Sequence, residues 1–387
     1  MKKILVPRVR FKEFGEEWKE ERLLNFIEYK NGRAHENFVS KHGEYILVNS
    51  KFISSEGMSI KKVSKNFSVL SKNTITLVLS DIPNGKALAK TFIIPKDNTY
   101  ALNQRIAGLT IKKGIDLHFI NKTINRNPYF LRLDDGINQT NLNINQIKNM
   151  RFYTTDISEQ QKIGKLLDQI SNLITLEQSK LNKLKQVKET LLQKMFPEGN
   201  SKTPRIRFKA FDEEWKEERL EETVNILDNL RIPVKESLRS PGAYKYYGAN
   251  GIQGKINGYT HQGENILIAE DGANDLNNYP LIFEKNKIWV NNHTHVVTSN
   301  NPNLLKNYFL YLSLKKVNFS DYILGTQRYK LTLSNLKEVL FVITKNIDEQ
   351  QKIGDFFSNI DTLINLYNSK LNKLKQIKYA LLQKMFI

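Results

Sequence analysis

The sequence predicts an α+β protein in which two strand-rich α/β domains are joined by two long helices, packed as an antiparallel coiled coil, with a pseudo-two-fold internal repeat. Two observations predict this class. A helical stretch of 38 residues occurs twice, and a shorter lead-in segment also occurs twice, each time before a region rich in strand and turn signals. Repeats of this length indicate an internal duplication.

The repeated helical stretch covers residues 159–196 and 349–386, with 25 of 38 positions identical at an offset of 190. Apolar residues in both copies follow an alternation of four and three, which predicts a coiled-coil seam. The first seam consists of Ile163, Leu167, Ile170, Ile174, Leu181, Leu184, Leu191 and Met195, and the second of Ile353, Phe357, Ile360, Ile364, Tyr367, Leu371, Leu374, Leu381 and Met385.

Two charged residues, Glu177 and Lys188, interrupt the first seam, and Val187 is the expected replacement for Lys188. A helix of this length is roughly 55 Å long at 1.5 Å per residue. The two copies are expected to pack on each other and to form a spacer. The alternative is a pair of ordinary amphipathic helices buried in separate cores.

The lead-in segment, residues 7–23, returns at residues 204–220 with 14 of 17 positions identical. It predicts a short extended piece followed by a polar turn of helix, with Trp18 and Trp215 as packing anchors. The repeats divide the chain into a lead-in (1–23), a first domain (24–155), a central helix (156–196), a linker with the second lead-in (197–220), a second domain (221–346) and a C-terminal helix (347–387).

The two domains share no alignable run between residues 24–135 and 221–310. Both contain short β-branched runs and Asn-Gly or Asp-Gly pairs, which are typical of strands and hairpins. The predicted strands are Tyr45–Val48, Thr74–Leu79, Thr91–Ile94, Asn265–Ala269 and Lys287–Val290. The duplication therefore kept the frame and let the inserted domains diverge.

The formal charge of +19 is concentrated in the first domain, where residues 23–155 carry 19 basic and 9 acidic side chains. Such a basic surface favours a polyanionic partner, first of all nucleic acid, although frequent lysine from an AT-rich genome would give the same total. The absence of cysteine excludes disulfides and thiolate metal sites. With no apolar run near 18 residues and no signal-like start, we expect a cytoplasmic protein.

A search for catalytic motifs predicts no catalytic residue. There is no phosphate-binding loop, and Asn127-Pro128-Tyr129-Phe130 lacks the second proline of an adenine-methyltransferase loop. Asp81, Asp134 and Asp135 lack the partners of a nuclease site. His293 and His295 have a spacing that can bind a metal on a strand, but no third ligand is evident, so we expect no metal.

Nucleic-acid contacts are the remaining chemistry, because Lys and Arg bind phosphates while Arg, Asn and Gln can read base edges. Each candidate taken alone is better explained as a solvated surface residue or a turn former than as a base contact, and their collective presence carries the argument. The candidates are Lys61, Lys62, Lys86, Lys90, Asn103, Gln104 and Arg105 in the first domain and Tyr246, Tyr247, Asn250, Gln253, Asn292, His293, Gln327 and Arg328 in the second.

Over essentially its whole length the chain resembles the specificity subunits of type I restriction-modification systems. The resemblance rests on the Glu-Gln-Gln-Lys-Ile starts (159–163 and 349–353), the Leu-Leu-Gln-Lys-Met-Phe ends, the Trp18 and Trp215 segments, and the motifs at 247–254 and 268–272. The family often has a proline before the Glu-Gln pair, and this chain does not, which leaves the helix start open.

The resemblance implies that each domain reads one half of a split, asymmetric DNA target, while the helices act as a ruler for the unread spacer. It also implies that the helices dock two modification subunits, which bring S-adenosylmethionine, and that restriction subunits bring ATP and Mg²⁺. The seams and flanks of 159–196 and 349–386 would then be both the ruler and the docking surface. This chain would be non-catalytic. The alternatives are an enzyme with an unfamiliar site and a self-contained coiled-coil DNA-binding regulator.

Overall fold

A computed structural model describes residues 5–199, 201–325 and 329–387. The chain divides into two compact units, of which unit 1 is Met1–Gln178 with Lys370–Ile387 and unit 2 is Ser179–Ser369. Each boundary falls inside one of the long helices. Each unit therefore consists of one lead-in segment, one strand-rich domain and one part of each helix.

Unit 1 is built around a four-stranded antiparallel sheet and a smaller three-stranded sheet. Its elements are β1 (Lys19–Arg22), β2 (Ile27–Asn31), β3 (Tyr45–Val48), α1 (Ser50–Ser54), β4 (Lys62–Val63), β5 (Ile75–Val78), β6 (Ser80–Asp81), β7 (Thr91–Ile93), β8 (Tyr100–Leu102), β9 (Ile106–Ile111), α2 (Leu117–Ile124), α3 (Pro128–Leu131), β10 (Thr140–Asn141), α4 (Ile144–Lys148), β11 (Arg151–Thr154) and the first part of α5 (Ile157–Lys194). The large sheet has the order β2-β9-β5-β7 and the small one β4-β3-β8, with β3 and β8 parallel.

Unit 2 repeats this plan. Its elements are the rest of α5, β12 (Lys216–Arg219), α6 (Leu220–Thr223), β13 (Val224–Ile226), β14 (Tyr244–Gly248), β15 (Gly251–Ile256), β16 (Asn265–Ala269), β17 (Leu281–Glu284), β18 (Ile288–Val290), β19 (Thr294–Ser299), α7 (Asn307–Leu314), α8 (Leu333–Lys337), β20 (Leu340–Ile343) and most of α9 (Ile347–Lys384). The sheets have the orders β13-β19-β16-β17 and β15-β14-β18, with β14 and β18 parallel. The two domains thus share one fold although their sequences do not align.

The long helices confirm the predicted fold class. Each begins two residues before its Glu-Gln-Gln motif and spans 38 residues. Asp156 accepts a hydrogen bond from the Ser158 N–H at 2.8 Å, and Asn346 caps the second helix by accepting from the N–H groups of Asp348 and Glu349. Asp and Asn are among the preferred N-cap residues, so these caps account for the helix starts without a proline.

The helix seams are filled inside each unit. In unit 1, Ile163 and Leu167 near the start of α5 share a core with Met385 at the end of α9. In unit 2, Met195 at the end of α5 shares a core with Ile353 and Phe357 near the start of α9. In both units the start of one helix lies beside the end of the other, so the helices pair in antiparallel fashion.

The charged residues of the first seam have partners on the other helix. Buried Glu177 lies 3.0 Å from the Lys370 ammonium, and Lys188 lies 2.5 Å from Asp361 Oδ1. Val187 is 49% exposed. The prediction that Val187 replaces Lys188 in the seam is therefore wrong, because Asp361 supplies the carboxylate that lets the lysine stay there.

The repeated Leu-Leu-Gln-Lys-Met-Phe ends complete an aromatic cluster in each unit. Phe386 packs against Trp18 and Phe119, with ring centroids 6.3 and 5.3 Å away. In unit 2, Phe196 lies 5.3 Å from Trp215 and 5.7 Å from Phe309. Both tryptophans are buried, which confirms them as packing anchors. Each helix end is thus part of the core of the other repeat's domain.

The lead-in segments correct one prediction. The Glu-Glu-Trp-Lys runs were expected to form a turn of helix, but neither is helical. Each leads directly into a strand, β1 or β12, which pairs antiparallel with β11 or β20. Helix propensity of such charged residues amounts to only a few tenths of a kcal/mol per residue. The ladder hydrogen bonds and the burial of the preceding tryptophan outweigh it.

The Glu-Gln-Gln motif joins each helix to its lead-in and domain. Arg10 donates two hydrogen bonds to the fully buried Glu159 carboxylate, at 2.6 and 2.7 Å. The neighbouring Gln160 accepts from the Asp116 N–H, next to the start of α2, at 2.8 Å and donates to Thr155 O at 2.7 Å. Arg207, Glu349 and Gln350 make the corresponding contacts in unit 2.

The glycine after this motif differs between the repeats. A Cβ on Gly164 would lie 2.9 Å from the Phe119 backbone nitrogen and 2.8 Å from Asp116 Oδ1, whereas a Cβ on Gly354 would meet Tyr308 at an ordinary 3.8 Å. We expect Gly164→Ala to lower the free energy of unfolding by about 1–3 kcal/mol through overpacking. Gly354→Ala should raise it by about 1 kcal/mol through helix propensity. Urea unfolding of both variants tests this, and equal effects would contradict it.

No helix in the described ranges is long and apolar enough to cross a membrane.

Candidate nucleic-acid interface

Four segments of unit 2 meet at one end of its two sheets, and together they are called loop cluster 2: residues 249–251, 270–275, 291–293 and 329–331. The parallel strands β14 and β18 end there, and β16 ends where β19 begins. The Gly272 N–H donates to Tyr329 O at 3.1 Å, and the Asn291 N–H donates to Tyr247 O at 3.1 Å. The fold thus brings distant parts of the chain to one edge.

Unit 1 has an equivalent loop cluster 1, formed by residues 81–88, 103–105 and 134–140. The Asn103 N–H donates to Val48 O at 3.2 Å, as the Asn291 N–H does to Tyr247 O in unit 2. The Leu142 N–H donates to Leu79 O at 2.8 Å, as the Leu331 N–H does to Glu270 O. The same backbone frame therefore carries different side chains in the two units.

The acidic residues of loop cluster 1 are loop-closing groups. Asp81 accepts from the backbone N–H groups of Ala87 and Leu88, and Asp134 accepts from those of Asn84 and Gly136. Hydrogen bonds from the Asn138 and Ile137 N–H groups hold the pKa of Asp135 below its ordinary value. The carboxylate oxygens of these residues stabilise the loops by accepting backbone hydrogen bonds. This structural role could not be predicted from the sequence.

Loop cluster 1 collects most of the candidates predicted in the first domain. Asn103, Gln104, Arg105 and Lys86 lie in it, and Lys90 lies at its border. The side-chain amides of Asn103 and Gln104 both donate to Glu36, at 3.2 and 3.4 Å, while Arg105 and Lys86 are exposed. Lys61 and Lys62 are exposed at β4, away from the cluster.

Loop cluster 2 collects three of the candidates predicted in the second domain. Asn292 is exposed, and half-buried His293 lies 3.6 Å from Asp271. Asn250 uses its amide within the cluster, donating to Gly272 O at 2.8 Å and accepting from the Asn274 N–H at 3.0 Å. Gln253 is exposed on β15, and Gln327 and Arg328 lie outside the described residues.

Two tyrosine candidates need correction. Tyr246 and Tyr247 are each 1% exposed. The Tyr246 hydroxyl accepts from the Val234 N–H at 2.9 Å under the Arg239 guanidinium, and the Tyr247 hydroxyl donates to Glu284. Burial and the Glu284 carboxylate raise the pKa of Tyr247. Their rings fill the domain interior and offer no surface to DNA.

A charged cluster that the sequence analysis missed lies beneath loop cluster 2. We call it the ionic quartet: Asp228, Arg231, Glu270 and His295. Ligand atoms of the two carboxylates and the imidazole lie within 4.8 Å of one another, as in a cation site. Arg231 lies 2.5 Å from Glu270 and 3.2 Å from Asp228, so its guanidinium already supplies a positive charge there.

His295 is bound on both sides of its ring. Its Nδ1 lies 2.6 Å from Asp228 Oδ2, and its Nε2 lies 2.8 Å from Leu331 O. Both oxygens are hydrogen-bond acceptors, so the ring is held in place from two sides. The His293–His295 pair that suggested a metal site is thus split, because His295 points into the quartet while His293 lies at the surface near Asp271.

The seam part of the predicted docking surface needs correction, whereas its flanks stay a prediction. Of these residues, Ile163, Leu167, Ile170, Leu181, Met195, Ile353, Phe357, Ile360, Leu371 and Met385 are buried, and Ile174, Leu184, Leu191, Ile364, Leu374 and Leu381 are partly buried. They fill the coiled coil and the unit cores and leave little surface for a partner. Among the exposed apolar residues of the helices are Leu173 and Leu176 in unit 1 and Leu363 and Leu366 in unit 2. The two pairs are identical residues at the 190-residue offset although they lie away from the seam. That identity between the repeats was the sequence signal that could have found them.

Comparisons with known proteins agree on one family. The model of the type I restriction modification DNA specificity domain matches twice, over residues 15–186 and 212–376. A putative type I restriction enzyme specificity subunit of Haemophilus influenzae is 48% identical over 126 residues, which is 33% of this chain. That match spans about a third of the relative's own length (32%).

One solved structure shows the same fold over the whole chain. The crystal structure of a type I restriction-modification system S subunit from M. genitalium superimposes with a TM-score of 0.74 and covers 99% of both chains, at 17% identity. The two matches of the family model coincide with the two halves of the duplicated frame. The chain belongs to the type I restriction-modification DNA specificity family, the DNA-recognition component of these systems.

Proposed function

We propose that this chain is the non-catalytic DNA specificity subunit of a type I restriction-modification complex. Loop cluster 1 and loop cluster 2 each read one half of a bipartite, asymmetric DNA target. The long helices set the spacer between the halves and dock two modification subunits. One observation carries the proposal: two units share one strand order and one set of backbone links, yet present different side chains at the same edge.

The side chains at these edges suit DNA. Loop cluster 1 presents Lys86 and Arg105, and loop cluster 2 presents Asn292 and His293. Lysine and arginine bind phosphates, while asparagine, glutamine and arginine can distinguish bases in the major groove. A net charge of +19 favours approach to the DNA backbone. Because the edges differ in side chains, the two half-sites should differ in sequence.

The docking proposal rests on the exposed leucines of the helices. Leu173 and Leu176 are three residues apart and so lie on one helix face, as do Leu363 and Leu366. They are 46–61% exposed although large and apolar. Amphipathic helices commonly bind partners through such faces. Two equivalent pairs support two modification subunits per chain, which would bring S-adenosylmethionine, while restriction subunits would bring ATP and Mg²⁺.

We expect the double variant Leu173→Asp with Leu176→Asp to lose one of two bound modification subunits, because charge on a buried contact face opposes association. Native mass spectrometry of the purified complex should show one modification subunit per chain instead of two. Thr175→Asp, an exposed polar position on the same turn but on a different helix face, is the control and should retain both. Two bound subunits in the leucine variant would contradict docking at this face.

The decisive experiment is co-expression with a modification subunit of the same system in a methylation-free host, followed by genome-wide mapping of methylated adenine. A single split motif with a fixed gap is expected. Methyl transfer or cleavage by the purified chain alone would show that it is an enzyme. Tight binding of a split site without any partner, with no complex formed, would favour a self-contained DNA-binding regulator.

A further inference from the structure

The ionic quartet connects three of the four segments of loop cluster 2 at their bases. Glu270 begins the segment 270–275 and accepts from the Leu331 N–H through its backbone carbonyl at 2.8 Å. His295 follows the segment 291–293 and donates to Leu331 O. Arg231 donates to Thr294 O at 3.1 Å. A displacement of any member would therefore shift more than one segment of the cluster.

The quartet itself is held from the opposite side by a short turn of 3₁₀-helix, Asp228–Leu230. Asp228 accepts from the Val296 N–H through Oδ1 at 2.9 Å and from His295 through Oδ2. All four side chains are largely buried, from 1% exposure for His295 to 17% for Glu270. Because they are buried, the four side chains can hydrogen-bond only to the groups packed around them.

Such an arrangement is better suited to positioning than to stability. A buried ion pair is often no more stabilising than apolar residues of the same volume, because the charges lose their hydration. Its hydrogen bonds are directional, however, and charge-assisted ones are short and geometrically demanding. In unit 1 the shared backbone links place Leu79 and Ala107, both buried and apolar, where unit 2 has Glu270 and His295. The extra charges are specific to unit 2.

We propose that the ionic quartet is a positioning device that sets the geometry of loop cluster 2 and thereby determines how strictly one half of the DNA target is read. This inference rests on the proposed function and deepens it. The quartet side chains act through the loops and do not themselves contact DNA. Disturbing them should relax discrimination at one half-site and leave the other half-site unaffected.

The test uses the complete complex with its modification subunits and measures binding to duplexes that carry single base changes in either half of the mapped target. Glu270→Gln and Asp228→Asn remove a charge without changing shape, and Arg231→Lys keeps the charge but loses the planar fork. Glu284→Gln is the control. Glu284 is a buried carboxylate of the same sheet, paired with Asn265 at the other end of β16.

In the wild type, a wrong base in a half-site should weaken binding by roughly 5- to 150-fold. We expect Glu270→Gln and Asp228→Asn to bring that ratio close to 1 at one half, the same half for both, with the other half unchanged. The ratio for Arg231→Lys should lie between those of these variants and the wild type, because the lysine ammonium can keep one of the two carboxylate contacts of Arg231. Glu284→Gln should keep both ratios even if it lowers thermal stability.

Unchanged ratios in folded Glu270→Gln and Asp228→Asn complexes would overturn the positioning role, as would equal loss at both halves or the same loss with Glu284→Gln. If either isosteric variant fails to fold, Arg231→Lys decides the question by the same ratio. Failure of the proposed function looks different, because the wild-type complex would then show no split target. A wild-type split target with insensitive variants leaves the function standing and removes this inference alone.

Discussion

Replacement of Glu159 by alanine is expected to lower the free energy of unfolding by about 3–5 kcal/mol, the usual cost of removing one partner from a buried ion pair. Glu159 is fully buried and accepts two hydrogen bonds from Arg10 and a third from the Thr155 hydroxyl at 2.6 Å. Its loss leaves the largely buried Arg10 guanidinium without a carboxylate. Urea unfolding with circular dichroism measures the change.

Three further variants show whether the loss of stability in Glu159→Ala comes from the buried ion pair. Glu349→Ala removes the equivalent partner of Arg207 and should cost a similar amount in unit 2. Glu20→Ala removes the exposed pair with Arg151 and should cost about 1 kcal/mol or less. The double variant Arg10→Met with Glu159→Leu should recover most of the loss, since paired apolar replacements are often tolerated. A Glu159→Ala cost no larger than that of Glu20→Ala would show that the motif does not anchor the helix.

Periodicity explains why the helices were predictable and the lead-in strands were not. The seam from Ile163 to Met195 repeats over many turns, so the pattern itself predicts the structure. The run at Lys19–Arg22 is too short for a period and is rich in helix-favouring residues. It becomes a strand because β11, more than 120 residues later, pairs with it. Local sequence holds no information on that partner.

The candidate site was predictable by residue type but not by arrangement. Asn292 and Arg105 were candidates because of their side chains, and both lie in the loop clusters. Tyr246 and Tyr247 have suitable side chains but are buried, since their strand lies between two others in its sheet. The ionic quartet was missed because its members are separated by up to 67 residues, and nothing short of the folded sheet brings them together.

The spacer prediction uses a polar pair that joins α5 to α9 within unit 1, Glu177 and Lys370. Deletion of residues 174–180 from α5 and 367–373 from α9 removes both Glu177 and Lys370, so no buried charge is left alone. The seam stays in phase, because Leu181 takes the place of Ile174 and Leu374 that of Tyr367. Seven residues correspond to roughly 10 Å of helix, or about three base pairs at 3.4 Å each.

If the helices are the ruler, the complex with both deletions should prefer a gap about three base pairs shorter, with both half-sites unchanged. Three base pairs also turn the half-sites by roughly 100° around the DNA axis, at 10–10.5 base pairs per turn, so we expect lower activity as well. Selection from a DNA library with randomised gap lengths measures both effects. Deletion of 174–180 alone leaves Lys370 without Glu177 and puts the two seams out of register, and it should destabilise the protein instead. An active complex that keeps the original gap after both deletions would refute the ruler, because the spacing would then be set by something other than helix length.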